Sequence, residues 1–245
     1  MISVFIPVYN EERIVRKEVE RIYKKLQEMK ESFEVFMIDD GSTDESPKIM
    51  REISKKRKRA YYLRFNSDPS RRENLALSFT KAKGNIIVLT DIDLGHNIKS
   101  LPRLVEGIKK GADIVTGSRY CKGANTRRRF MRWIVSRSYN WFVNLYFQTK
   151  ITDHECGFKA FKREVALTLS REMGYDHSLK RGVFWDTELL LRALHHKYHI
   201  EEIPMIWVDR EKSALSFKRE IKMVPYMLSF KRKLKKEQKR GSTQS

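Results

Sequence analysis

Two hydrophobic periods alternate along the first 117 residues of this chain, and that alternation limits its fold more than any other feature. The runs "ISVFIPV" (2–8), "FEVFMI" (33–38), "YYLRF" (within 60–65), "NIIVLT" (85–90) and "ADIVTG" (112–117) are rich in β-branched and aromatic residues and have the length of strands. Between them the period changes. Residues 11–30 place Ile14, Val15, Val19, Ile22, Tyr23 and Leu26 at helical spacing. The turn cluster "DDGSTDES" predicts a helix starting near Asp44, and further helices are expected at about 70–83 and 98–110. Ser100 followed by Pro102 suits the first turn of the last of these. Parallel neighbours need long crossovers, so this order predicts an α/β fold with a mostly parallel central sheet and helices on both faces.

Ligands of such sheets bind outside the carboxyl ends of the strands. Three polar clusters fall there: Pro7–Glu11, Asp39–Asp44 and Asp91–Asp93. Asp91 and Asp93 are alternate residues leaving a strand, so both can aim oxygens at one hard cation and leave positions open for phosphate. The other reading is a turn with helix-capping acids. Asp39 or Asp40, ending a buried strand, could accept from a nucleobase or ribose hydroxyl, while Gly41 permits a tight turn; an ordinary strand-to-helix turn is the alternative. Three clusters converging on one edge make a site.

The second half differs. "RRRFMRWIVSRSYNWFVNLYFQ" (127–148) mixes Arg with Trp, Phe and Tyr, a combination suited to a helix lying in a headgroup layer. "CGFKAFKREVA" predicts strand then helix, and "FWDTELLLRALHHKYHIEEIPMIW" predicts helix then strand. From Phe217 the chain reads as a basic amphipathic helix interrupted at Pro225, expected to act as an interfacial anchor over 217–236. Lys and Arg outnumber Asp and Glu by 51 to 31, a net charge of +20, which calls for an anionic partner. No nucleic-acid-binding motif accompanies that charge. Cys121 and Cys156 form neither a disulfide framework nor a zinc spacing, which points to a reduced compartment. No secretory leader and no eighteen-residue apolar window are present, so a cytoplasmic chain, peripheral at a membrane, is expected.

Taken together, "IPVYNE", "IDDGSTD", "LTDIDLGH", "GADIVTGSRY" and "CGFKAF" resemble the family-2 glycosyltransferases of GT-A fold. Within that family the chain is similar to the dolichyl- and polyprenyl-phosphate sugar synthases, in "TDHECGFKAFKREVA", "FWDTELLLRA" and "EIPMIWVDREKSALSF". The resemblance implies a catalytic domain over 1–215, with a nucleotide-sugar half (1–120) and an acceptor half (121–215), followed by a membrane-surface segment over 216–245. It implies an inverting transfer of hexose from UDP-glucose or GDP-mannose to a dolichyl or polyprenyl phosphate at an anionic, cytosolic membrane face. Pro7, Tyr9, Glu11, Asp39, Arg71 and the Asp91–Ile92–Asp93 turn would bind the nucleotide sugar. Asp91 and Asp93 would hold Mg2+ or Mn2+. Arg119 would meet the acceptor phosphate, and Asp186 and Glu188 would act near the sugar. Apart from the resemblance, the guanidinium forks of Arg127, Arg128, Arg129, Arg132 and Arg137 suit the same phosphate, a solvated basic face being the alternative. Two departures stand out. Gly95 replaces the Gln that the mannose enzymes place after the second Asp, leaving water or His96 to complete a metal shell. "PSRRENLA" puts Arg71 and Arg72 where the family has a Gly-Lys-Gly loop.

A saccharide hydroxyl is the alternative acceptor, with Asp186 then serving as general base. A basic protein binding nucleic acid through its phosphates is the reading from another class.

Overall fold

The computed structural model describes residues 1–65, 72–93, 97–178, 180–182, 184–208 and 224–241. Strands β1 (Ile2–Val8), β2 (Phe33–Asp39), β3 (Ala60–Arg64), β4 (Ile86–Thr90), β5 (Ile114–Ser118), β7 (Phe158–Lys162) and β8 (Ile200–Pro204) form one sheet in the order β3-β2-β1-β4-β7-β5-β8. Every pairing is parallel except those of β7, which runs antiparallel to both β4 and β5. Strands β6 (Asn125–Arg127) and β9 (Ile206–Val208) make a small parallel pair beside it.

The near-continuous apolar character of β1 follows from burial on both faces. Ile2, Val4, Ile6 and Val8 join one core cluster with α1 (Val15–Glu28), α2 (Ser46–Lys56) and α4 (Leu101–Lys109). Phe5 points the other way, stacked on Phe36 at 4.7 Å and edge-on to Phe79 at 5.1 Å. That second cluster is roofed by α3 (Glu73–Ser78), α6 (Arg163–Met173) and α7 (Phe184–His195). The helix expected at 70–83 is, among described residues, α3 followed by a 3-10 turn at Phe79–Lys81; the helix expected from 98 begins as a 3-10 turn at Asn97–Ser100, with Pro102 in the first turn of α4.

Register sets the site. Val8 pairs with Asp39, so the loops leaving β1 and β2 emerge side by side. Phe5 pairs with Leu89, which brings the turn after β4 level with the end of β1. Because β7 is antiparallel, its beginning lies at the carboxyl end of β4: Thr90 pairs with Phe158, and the Asp91 N–H donates to the Gly157 carbonyl at 3.2 Å. The sequence pattern predicted this strand but carried no sign of its direction.

Helix α5 (Phe130–Phe147) carries the Arg and aromatic mixture, and α8 (Val224–Gly241) is the last helix among the described residues. The anchor expected over 217–236 requires correction. Residues 217–223 lie outside the described residues, and Pro225 sits in the first turn of α8, where it does not kink the helix. Met227 and Phe230, inside the expected anchor, are buried against Phe184 and Leu191 with Phe147 beside them. Arg192 reaches Glu237 at 3.9 Å. The beginning of α8 is thus part of the folded body, because its apolar side found a protein partner.

Candidate functional site

Hydrogen bonds from backbone N–H groups to side-chain oxygens zip the first two loops into one wall. Asn10 accepts at Oδ1 from the Thr43 N–H (2.8 Å), and its own N–H donates to Ser42 Oγ (3.1 Å). The Glu11 N–H donates to Ser46 Oγ (2.9 Å), and the N–H groups of Glu12 and Glu45 donate to Asp44 and Glu12 at 3.0 Å. Gly41 adopts φ +87°, which places the tight turn at the residue able to make it. Asp39 is wholly buried, accepting at Oδ1 from the Ser42 N–H (2.8 Å) and at Oδ2 from Tyr62 Oη (2.9 Å), with Arg64 at 3.2 Å. Pro7 and Glu11 are half-buried at the mouth of this wall, and Tyr9 is exposed there. Asn74 ties the wall to α3 by donating to Asp40 at 2.9 Å.

Asp91 and Asp93 leave β4 with buried Ile92 between them. Gly157 makes room for the first: a Cβ there would stand 1.8 Å from Asp91 Oδ2. Arg72, the residue before α3, lays Nη2 on both Asp91 oxygens (3.0 and 3.2 Å) and Nε on Asp186 Oδ2 (2.8 Å). Lys159, fully buried on β7, donates to Asp186 Oδ1 at 2.7 Å and to the Cys156 carbonyl. A ladder Lys159–Asp186–Arg72–Asp91 therefore crosses the site. Burial pushes the Asp91 carboxyl up to about 6, against the opposing pull of Arg72. Burial works against the charged Arg72 as well, but Asp186 and Asp91 hold it above its ordinary range.

These residues fit a divalent cation. Two carboxylates share one turn, a glycine clears space for one of them, and that carboxylate, 26% exposed, already accepts a cationic partner in Arg72. Among the described residues no group of three or more His, Cys, Asp or Glu side chains gathers to hold a metal. An ion here would keep positions open for water and diphosphate oxygens, as Mg2+-type sites do. Arg71, Gly95 and His96 lie outside the described residues.

Two sequence expectations change. Glu188 was expected beside Asp186, but residues two apart on a helix do not share a face. Its carboxylate is wholly buried on the other side of α7, accepting from Arg192 Nε (2.9 Å) and Tyr226 Oη (2.7 Å) and ion-paired with Arg181 at 3.1 Å. It keys α7 to α8 and does not reach the ladder. Arg119 was expected to meet a phosphate. Instead it is 7% exposed and bidentate on Asp153 (2.6 and 2.7 Å), with its guanidinium over Trp207 and Tyr120. Of the other three arginines, Arg132 is buried, while Arg129 and Arg137 are exposed. Arg137 stacks over Tyr120 (5.3 Å) and Trp133 (5.9 Å).

The roles of Gly157, Lys159 and Asp153 were not read from sequence. "CGFKAF" and "TDHEC" stood out as motifs, yet nothing local says that a central antiparallel strand delivers a glycine and a lysine to an acidic pair.

Residues 3–169 match the family model of glycosyl transferase family 2. The glycosyltransferase AglD of Haloferax volcanii is 32% identical over 223 residues, 90% of this chain and 35% of its own length. An undecaprenyl-phosphate 4-deoxy-4-formamido-L-arabinose transferase of Pectobacterium atrosepticum is 28% identical over 171 residues, 69% of this chain and 51% of its own. The chain thus spans about a third to a half of the length of these curated relatives. Glucosyl-3-phosphoglycerate synthase from Mycobacterium tuberculosis, solved with Mn2+, UDP and phosphoglyceric acid, superposes with a TM-score of 0.69 at 18% identity, over 94% of this chain and 78% of that one. A mannosyltransferase from Pyrobaculum calidifontis, solved with GDP-Man and Mn2+, gives 0.59 at 18% identity, over 86% and 58%. The fold is therefore the GT-A fold expected from the sequence.

Proposed function

Because the chain belongs to glycosyl transferase family 2 and so transfers a sugar, we propose that it moves a hexose from a nucleoside diphosphate sugar to a dolichyl or polyprenyl phosphate, with inversion. The observation that carries the choice of acceptor is the state of Asp186. Its side chain is 5% exposed, and each of its oxygens is held by a cation, Lys159 on one side and Arg72 on the other. A hydroxyl acceptor needs a base within hydrogen-bond reach of its proton. A phosphate monoester, with its second pKa at about 6, arrives already ionised and needs orientation instead. The second curated relative is named for an undecaprenyl-phosphate acceptor, which favours the same class.

In this reading Pro7, Tyr9, Glu11 and Asp39 frame the nucleotide, with Asp39 held rigid by Ser42 and Tyr62. Asp91 and Asp93 hold Mg2+ or Mn2+, whose charge offsets that on the departing diphosphate. Exposed Arg129 and Arg137 orient the acceptor phosphate as guanidinium forks. The buried Arg119–Asp153 pair joins the loop after β5 to the loop before β7, on either side of α5 in the chain. Catalysis comes from positioning and charge placement.

The lipid chain of such an acceptor requires an apolar approach. Helix α5 exposes Phe130 (72%), Met131, Trp141 (67%), Phe142 and Leu145 among its basic residues, and α8 exposes Val224 and Leu228. Among the described residues no helix is long and apolar enough to cross a membrane. The exposed apolar side chains of α5 and of α8 support contact with an anionic membrane surface there, and the cytosolic face suits a nucleotide-sugar donor.

The test is a panel of UDP- and GDP-sugars with dolichyl phosphate and Mn2+, with products identified by mass spectrometry. A glycosyl phosphoryl lipid should form, and should fail to form with Asp91→Asn or in EDTA. Transfer to a saccharide hydroxyl with no lipid product, or full activity without metal, would sink the reading.

A further inference from the structure

The strongest feature left unexplained is the guanidinium inside the acidic site. We propose that Arg72 is a built-in stand-in for the cation: it neutralises Asp91 in the metal-free protein and gives up that carboxylate when a divalent ion arrives. Pivoting on Asp186, it then turns its freed donors to the incoming diphosphate. The inference rests on the cation site assigned above.

Four observations support an exchange over a permanent structural bridge. Arg72 meets Asp91 through Nη2 alone, at 3.0 and 3.2 Å, while Nε makes the shorter contact of 2.8 Å to Asp186. The Asp91 contact is the looser of the two. Among the described residues Nη1 is buried and finds no hydrogen-bond partner, although a guanidinium carries five donors and buried donors are ordinarily satisfied. An unmet donor beside the acidic pair is poised for an anion that arrives with the cation. The backbone at Arg72 has φ +86°, a left-handed conformation that non-glycine residues adopt rarely and that clusters where a chain must switch or clamp. Finally, the residues on both sides of a swing are fixed. Glu73 is bound to Arg181 at 3.1 Å, and Asp186 is bound to Lys159 at 2.7 Å. The Arg72 side chain is 19% exposed, with room to change partners, and Asp91 beside it is 26% exposed, open to an arriving ion.

The two charges compete for the same oxygens, which separates the proposal from a structural role. If Arg72 only braced the site, removing it would loosen Asp91 and weaken metal binding. If it stands in for the ion, removing it uncovers the ion's ligand and strengthens binding of the metal alone.

The test titrates Mn2+ alone into the full chain, read by electron paramagnetic resonance, for wild type, Arg72→Gln, Arg72→Lys and Asp91→Asn. Arg72→Gln should bind Mn2+ about tenfold more tightly than wild type, equivalent to about 1.4 kcal/mol. Arg72→Lys keeps the charge on a stem that cannot fork across both acids, and should fall between the two. Asp91→Asn should abolish binding, which locates the ion. Without metal, Arg72→Gln should melt below wild type, and saturating Mn2+ should raise its Tm by more than it raises that of wild type. A folded Arg72→Gln that binds Mn2+ no more tightly than wild type overturns the proposal; if that variant does not fold, the same comparison with Arg72→Lys decides. Wild type binding Mn2+ with Arg72 variants unchanged leaves the cation site standing and removes only the exchange. Absence of Mn2+ binding in every protein removes the cation site and the proposal together.

Discussion

Replacing Arg119 by alanine should cost this protein stability before it costs chemistry. The guanidinium forms a bidentate pair with Asp153, at 2.6 and 2.7 Å, and both side chains are buried. Removing one partner of such a pair typically costs about 3–5 kcal/mol, because the other charge stays buried and uncompensated. The lower end applies to the pair itself. Asp153 would keep the backbone N–H of residue 119 at 2.9 Å and that of Glu155 at 3.3 Å. Loss of the cation–π contacts to Trp207 (5.3 Å) and Tyr120 (5.4 Å) adds roughly 0.5–1 kcal/mol each. A total of about 4 kcal/mol corresponds to a Tm lowered by roughly 8–16 °C for a chain of this size. Thermal and urea unfolding of Arg119→Ala measure it. The double variant Arg119→Met/Asp153→Leu should recover more than half of the loss, since an apolar pair removes the stranded charge.

The pH dependence has a definite sign. Burial pushes the Asp153 carboxyl up, but Arg119 and its hydrogen bonds outweigh this and hold the group below its ordinary 3.8. A carboxylate with a lowered folded pKa stabilises fully above its unfolded value, and that contribution is lost as pH falls through the folded one. The gap between wild type and Arg119→Ala should therefore narrow as pH falls: the stranded, buried Asp153 of the variant takes up a proton first, and below pH 3.8 wild type loses its own contribution as well. If Arg119→Ala melts like wild type while its use of lipid phosphate collapses, Arg119 is a phosphate ligand after all and this account of the pair is wrong.

Three further outcomes follow from the geometry. Gly157→Ala puts a Cβ 1.8 Å from Asp91 Oδ2, so the carboxylate must move; transfer should fall by about 100-fold with little change in Tm, and wild-type turnover would show that the Asp91 position is not needed. Phe230→Ala should cost about 3 kcal/mol in urea unfolding, because the ring is 3% exposed against Phe147 and Phe184; loss of liposome binding at unchanged stability would return this face of α8 to the membrane. Glu188→Gln withdraws a wholly buried charge from Arg181 and Arg192 and should destabilise by about 3 kcal/mol, leaving turnover of the folded fraction near wild type; the reverse pattern would restore Glu188 to catalysis.

The sequence by itself determined what short-range physics can express. The apolar period of 2–8, 33–38 and 85–90 specified strands buried on both faces, since a fully apolar strand has no side to offer water. The spacing of Val15, Val19, Ile22 and Leu26 specified a helix lying on that sheet. Polar clusters at three strand ends then marked the mouth of the site, because a parallel sheet opens its ligand edge where its strands end. Tertiary structure alone decided the partners. Glu188 and Asp186 are two residues apart in sequence, yet helical geometry sends one to the α8 interface and the other to the acidic ladder. Arg119 sits in a motif that points to phosphate, yet Asp153, 34 residues later, takes its guanidinium. Met227 and Phe230 carry the pattern of an interfacial stripe, and only the presence of Phe184 and Leu191 opposite makes that stripe a core. The direction of β7, which delivers Gly157 and Lys159 to the site, depends on which edges β4 and β5 leave open. A charge or an apolar face states what it requires through its own residue type; which group meets that requirement is a property of distance in three dimensions, and the order of the chain does not record it.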